Sequence, residues 1–158
     1  MIYTGKPYNS MTILPDGSGQ ICGWQAESVF AQELLARKIS YTYTGCLPGP
    51  YDFVINGKKD VTLDIKAKKR NVQPSMSQDG HVALDQKDYK VQGYVFASVT
   101  DNEVSLMGWM WKPHFWSKAR IVHKGDDTGL FIERADAGKI SYANMTPMDA
   151  LWDGLKNV

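Results

Sequence analysis

Asp52, Asp64 and Lys66 are the residues of this chain whose types and spacing can carry chemistry. They lie in the run Gly49-Pro-Tyr-Asp-Phe-Val-Ile-Asn-Gly-Lys-Lys-Asp-Val-Thr-Leu-Asp-Ile-Lys-Ala-Lys-Lys69. Two carboxylates that converge on one point repel, and they need either raised pKa values or a cation between them. A hard divalent ion answers that need. Mg²⁺ takes oxygen ligands from one or two carboxylates and completes its shell with water and phosphate oxygens. Beside a phosphodiester it would polarise a phosphoryl oxygen and acidify a bound water, while a neighbouring ammonium orients that water or steadies developing charge. An isolated Asp-x-Lys is equally what a solvated surface hairpin carries, so the elements that position these groups decide its meaning.

Residues 51–55 and 61–67 have the β-branched and aromatic enrichment of strands, and Asn56-Gly57 between them signals a turn, so the segment reads as a β-hairpin. Strand side chains alternate, which puts Asp64 and Lys66 on one face and Leu63, Ile65 and Ala67 on the other. Asp52 joins Asp64 only if the loop has an odd number of residues or a bulge corrects the register, and the sequence leaves that open. Upstream, residues 23–39 read as an amphipathic helix with Ala26, Phe30, Ala31, Leu34 and Leu35 on its apolar side. Glu27 falls in the middle of that stripe, with Phe30, Ala31 and Leu34 at i+3, i+4 and i+7, so its carboxylate is aimed at the core. Glu33 lies on the flank. The plainer role for Glu27 is an acid of the first helical turn that bends out to water.

A helical acid, an Asp at the start of a strand, and Asp-x-Lys in the next strand together resemble the PD-(D/E)xK nuclease superfamily, with its restriction-endonuclease-like fold. Ala26-Glu27 matches the helical acid, Tyr51-Asp52-Phe53 the Asp motif and Asp64-Ile65-Lys66 the terminal triplet, in that order over about residues 23–70. Pro50-Tyr51-Asp52 departs from the family's Pro directly before Asp. The Gly108-Trp109 pair after a strand and the later Thr146-Pro-Met segment are similar to phage-borne members. The resemblance implies an α/β (α+β) domain with a central mixed sheet flanked by helices, and a DNA-hydrolysing enzyme using Mg²⁺, for which Mn²⁺ can substitute. It implies Asp52, Asp64 and the Ile65 carbonyl as metal ligands, Lys66 as the residue that positions or helps activate water, and Glu27 as ligand of a second ion or a holder of the first through water. It favours an endonuclease, leaves an exonuclease as the alternative, and allows a homodimer. A non-catalytic nucleic-acid-binding module on the same fold and a protein whose hairpin charges are only surface are the other two readings.

The chain has 158 residues, ordinary for one domain, and its 18 Lys plus Arg against 17 Asp plus Glu give no general case for a nucleic-acid partner. That case rests on local clustering. Lys66, Lys68, Lys69 and Arg70 extend positive charge from the candidate site, with Lys58 and Lys59 in the turn, although lysines also guard strand edges. Residues 71–90 read as a long polar loop after the catalytic strand, and Gln86, Lys87 and Lys90 in it are candidates for phosphate contact. Trp109, Trp111, Phe115 and Trp116 can stack unpaired bases, but aromatics at strand ends more often fill a core.

Strands are expected over 94–99 and 103–111 around the turn at Thr100-Asp-Asn102, and over 129–133 and 140–144. Helices are expected over 114–122 and 147–155, and residues 1–21 as an irregular arm. Cys22 and Cys46 have neither zinc-ligand nor disulfide-framework spacing and cannot supply the four thiolates of an iron–sulfur cluster. His81, His114 and His123 are scattered, and Gly17-Ser-Gly19 lacks the ending of a phosphate loop. With no signal peptide and no span of bilayer length, the expected setting is cytoplasmic, in a cell or an infected host, with no membrane partner.

Overall fold

The computed structural model describes residues 18–45, 47 and 49–158, with side chains from Ile21 onward. Most of the expected arm, Gly17 and Cys46 lie outside the described residues. The first helix, α1 (Ser18–Ala36), starts inside the segment expected to be irregular. It stops because Lys38 takes a left-handed φ of 58° and the Ile39 amide returns to the Leu34 carbonyl at 3.0 Å, which folds Ile39 back into the core.

Strands β1 (Tyr41–Tyr43), β2 (Phe53–Ile55) and β3 (Val61–Lys69) follow as antiparallel neighbours. β5 (Gly93–Val99) lies parallel to β3, and β6 (Val104–Trp111) returns antiparallel, giving a five-stranded mixed sheet of order β1-β2-β3-β5-β6. The β3–β5 connection passes through β4 (Asp79–Ala83), which leaves the central sheet. β4 forms a second, three-stranded antiparallel sheet with β8 (Ala137–Ser141) and β7 (Arg120–Val122), in the order β4-β8-β7. α2 (Lys112–Lys118) and α3 (Met148–Leu155) complete a mixed α and β architecture.

The alternation expected of β3 is what builds the layers. Leu63 and Ile65, with Val95, Ala97 and Val99 of β5, pack on Ala26, Phe30 and Leu34 of α1 and Leu151, Trp152 and Leu155 of α3. Tyr94, Phe96 and Met110 form the opposite face, against Phe115 of α2 and Val82 and Ile140 of the second sheet. Phe53, fully buried, joins β2 to this first layer, with ring centroids 5.0 Å from Phe30, 5.2 Å from Tyr43 and 5.6 Å from Tyr41. Phe53→Ala should lower stability by about 3–5 kcal/mol in denaturant unfolding, since three rings would line the cavity left behind. A loss under about 1 kcal/mol would mean that this aromatic cluster is not a packed core.

Five further sequence expectations change. The strand expected over 140–144 runs instead over Ala137–Ser141, and Tyr142–Asn144 form a 3-10 turn. Leu35 is 70% exposed, because the stripe that meets the flat sheet is the narrow line Cys22, Ala26, Phe30 and Leu34. The 71–90 segment is not a loop throughout, since β4 and a 3-10 turn at Leu84–Gln86 lie within it. Residues 129–133 make no strand and contribute only an isolated bridge between Asp127 and Ile132, beside a Gly129 with φ 83°. The helix expected over 114–122 ends at Lys118, and β7 takes its last residues. The strands over 94–99 and 103–111 and the terminal helix behind Pro147 form as expected within a residue. No helix among the described residues is long and apolar enough to cross a membrane.

Candidate active site

The connection between β2 and β3 spans residues 56–60, five in all, with Ile55 opposite Val61 and Phe53 opposite Leu63. An odd loop carries Asp52 to the Asp64 end of the pair, which resolves the register that the sequence left open. Gly57 is required within that loop by close approach, because a Cβ there would stand 2.5 Å from the Val158 side chain. The Asp52 amide donates to the Leu63 carbonyl at 3.0 Å, and its carboxylate accepts from the Ile65 amide at 2.8 Å. Asp52 thereby brackets Asp64 from both sides. In an extended strand the N–H and C=O of one residue leave on the same edge, so the Ile65 carbonyl emerges on the side where its amide meets Asp52.

Asp52 is 5% exposed, and its pKa is raised well above the ordinary carboxylate range. Burial is the main cause, followed by the charges of Asp64 and Glu27 and a carboxyl hydrogen bond with Asp64, against which the Ile65 amide pulls down. Glu27 is 2% exposed, as its place in the apolar stripe requires, and accepts a hydrogen bond from the Tyr43 hydroxyl. The helical acid therefore stands behind Asp52, close enough for its field to be felt there.

Lys66 bridges the pair to the next element. Its ammonium lies 2.7 Å from an Asp64 oxygen and donates to the Gln86 amide oxygen at 2.5 Å. Burial works against this charge, but the pull and hydrogen bond of Asp64, with smaller pulls from Asp52 and Tyr94, outweigh it and hold the Lys66 pKa above the ordinary lysine value. A lysine so placed is a fixed cation rather than a proton acceptor near neutral pH. Its chemistry is to orient and to stabilise negative charge.

Two carboxylates, one of them made harder to ionise by burial and then by the charges beside it, form a donor set that a divalent oxygen-seeking ion would relieve, so Mg²⁺ or Mn²⁺ fits here. Among the described residues no group of three or more His, Cys, Asp or Glu side chains stands together in a way that could hold a metal ion. The protein would thus offer Asp52, Asp64 and the Ile65 carbonyl, leaving the rest of the shell to water and phosphate. Without metal, the sign of the Asp52 shift makes a prediction. A carboxyl whose folded pKa is raised contributes stability that is full below its unfolded pKa, near 3.8, and is lost as pH rises through the folded value. Asp52→Asn should therefore be more stable than the parent at neutral pH. It should also flatten the decline in stability above the ordinary carboxylate range. Thermal unfolding across pH in chelator reads this directly, and a variant less stable than the parent at pH 7 would contradict it.

The candidate nucleic-acid residues divide. Lys66 and Lys68 alternate along β3 on the face of Asp64 and Arg70 follows the strand's end, whereas Lys69 points to the other face and pairs with Asp101 at 3.4 Å. Gln86 belongs to the site through Lys66. Lys87 is exposed, with its ammonium 5.5 Å from the centre of the Trp116 ring, and Lys90 is exposed. Trp109 and Phe115 are core, but Trp111 and Trp116 are half-buried and line a cavity of about 840 Å³ with Lys87 and His114. The Trp116 indole donates to the Tyr94 hydroxyl at 3.1 Å, and Tyr94 is the register partner of Asp64, so this cavity adjoins the site.

Sequence reasoning missed His81 and Lys139, which the second sheet brings beside Lys68. No local pattern marks them, because they are register partners across strands nearly sixty residues apart. No protein-family model matches the chain, and neither the curated proteins nor the solved structures hold a significant match, so the family resemblance rests on these residues and their geometry.

Proposed function

We propose that the chain is a metal-dependent nuclease of the PD-(D/E)xK type that hydrolyses phosphodiester bonds in DNA, built on a restriction-endonuclease-like version of its mixed sheet. The observation that carries this reading is the convergence of Asp52, Asp64 and Lys66 on one rim of the central sheet with Glu27 behind them. Asp52 and Asp64, with the Ile65 carbonyl, would hold Mg²⁺ or Mn²⁺, which supplies Lewis-acid polarisation of the phosphoryl oxygen and a more acidic bound water. Glu27, whose charge is felt at Asp52 from the core side, would bind a second ion or hold the first through water. Lys66, kept cationic by Asp64 and steered by Gln86, orients the attacking water and stabilises charge on the phosphoryl group. An endonuclease is the preferred form, by analogy with short members of the family, and an exonuclease is the alternative.

A second reading, a binding module without catalysis, draws on one observation: no third acid among the described residues groups with the Asp pair at metal-binding spacing. The two separate in one assay. The purified chain is incubated with supercoiled, linear, single-stranded and branched DNA, with and without Mg²⁺ or Mn²⁺, beside Asp64→Asn and Lys66→Ala. Metal-dependent cleavage lost in both variants supports the enzyme. Binding without cleavage supports the module, and neither binding nor cleavage removes both.

A further inference from the structure

We propose that Lys68 and His81, backed by Arg70 and Ser98, form an oxyanion subsite that takes a phosphoryl group of the substrate strand one step along β3 from the Asp64–Lys66 pair. The anion's chemistry is read from these residues, and its identity as part of a nucleic-acid strand rests on the nuclease reading above.

The first support is a set of buried donors with nothing to bond. Arg70 Nε, His81 Nδ1 and Ser98 Oγ are all buried and meet no hydrogen-bond partner among the described residues. Native proteins leave few such groups, and each one points to a bound water, ion or ligand. These three are not scattered. Ser98 is the direct register partner of Lys68 on β5 and shares its face, Arg70 follows the end of β3 with its Nη2 donating to the Asp79 carbonyl at 2.6 Å, and His81 approaches from β4.

The second support is the charge that stays unanswered. Lys66 is met by Asp64 at 2.7 Å, Lys139 by Glu133 at 2.6 Å and Arg120 by Asp79 at 2.6 Å. Lys68 has no carboxylate within ion-pair distance among the described residues; burial, then Lys139 and Arg70, lower its pKa, and the more distant Glu133 and Asp79 offset this only in part. His81 stands in the same field. Burial, then Lys68, Lys139, Lys66 and Arg70, push its pKa down to about 4, so the ring is neutral at pH 7 and keeps one N–H to give. An arriving oxyanion relieves the repulsion and satisfies the donors together. The Phe131 ring lies 6.0 Å from the Lys68 ammonium and 5.0 Å from that of Lys139, placing an apolar group beside this charge.

The number of donors favours a phosphoryl group over a carboxylate. Donors from two sheets approach a tetrahedral anion with several oxygens better than a planar one with two. Alternate residues of a strand repeat about every 6.6 Å, so Lys66 and Lys68 are spaced to meet successive positions along an extended strand.

The test uses the Asp64→Asn protein in chelator, so that turnover plays no part. Inorganic phosphate is titrated while the His81 imidazole nitrogens are followed by two-bond ¹H–¹⁵N correlation. A saturable shift at His81 is expected, with Kd weakened about 10- to 100-fold in Lys68→Ala, the scale of one charged hydrogen bond, and unchanged in Lys156→Ala, an exposed lysine just after α3. Lys68→Ala removes a repelled cation, and an unfolding midpoint no lower than the parent's verifies that it folds. No saturable shift, or equal binding in Lys68→Ala, overturns the subsite. Short oligonucleotides then compete with phosphate. Displacement by 5′-hydroxyl strands assigns an internal phosphodiester, displacement by 5′-phosphorylated strands alone assigns a terminal phosphate, and displacement by neither overturns the nucleic-acid assignment. A His81 response in a chain that cleaves no DNA sinks the enzyme reading alone.

Discussion

Asp64→Asn and Lys66→Ala are each expected to lower metal-dependent cleavage by about 10²- to 10³-fold, the scale for losing one group that stabilises developing charge. The two substitutions remove different things. Asp64→Asn keeps the shape and a hydrogen-bonding oxygen but takes away the negative charge that answers both Lys66 and an incoming cation. Lys66→Ala removes the cation and leaves Asp64 and Gln86 without the group that joins them. Divalent-ion affinity should fall in the first variant and change little in the second, so metal titration separates them even where both are inactive. Single-turnover cleavage is the measurement, because product release then cannot mask the chemical step. The fixed ammonium makes one further demand. If Lys66 acts as a cation, the pH profile of the parent should show no fall in rate from pH 7 to pH 9. Activity within tenfold of the parent in either variant would remove the assigned roles.

Much of this site could be read from the sequence because short-range rules govern it. Strand alternation alone separates Asp64 and Lys66 from Leu63 and Ile65, and the helical stripe alone buries Glu27. Asp52 was harder, since its side depended on the parity of a loop whose Asn56-Gly57 signal fitted a tighter turn than the five residues that form. Leu35 shows the opposite failure: helical periodicity admits it to the apolar side, but a flat sheet covers only a narrow line of α1. The second sheet was illegible for a different reason. β4 and β8 are five residues each and carry Gly80 and Gly138 at packed positions, where a Cβ would come within 2.6 Å of Phe96 or Trp116. Such strands are specified by what packs on them rather than by their own propensity. Gln86 followed from neither rule, and its place in the site depends on where β4 sets down the turn that carries it.

Removing Glu133 should cost the protein about 3–5 kcal/mol, the scale for stranding one partner of a buried ion pair. Lys139 sits in the central strand of the second sheet with its side chain 5% exposed, and Glu133, at 7%, meets it at 2.6 Å. In Glu133→Ala the ammonium would stay buried, near the Lys68 and Arg70 charges, with no carboxylate to answer it. The backbone of Glu133 also closes a loop, accepting from Gly125 at 2.8 Å and donating to Asp126 at 2.9 Å, but Ala preserves both bonds, so the loss reports the charge. Urea unfolding measures it. The double variant Glu133→Leu with Lys139→Met should recover most of the stability, because a matched apolar pair replaces a buried ion pair at little net cost. Phosphate should then distinguish the parent from Glu133→Ala. An oxyanion held by Lys68 and His81 stands in the field of Lys139, so saturating phosphate should restore more stability to Glu133→Ala than it adds to the parent. Equal gains would mean that Lys139 and the anion do not share one field, and a loss under about 1 kcal/mol would mean that its ammonium reaches water.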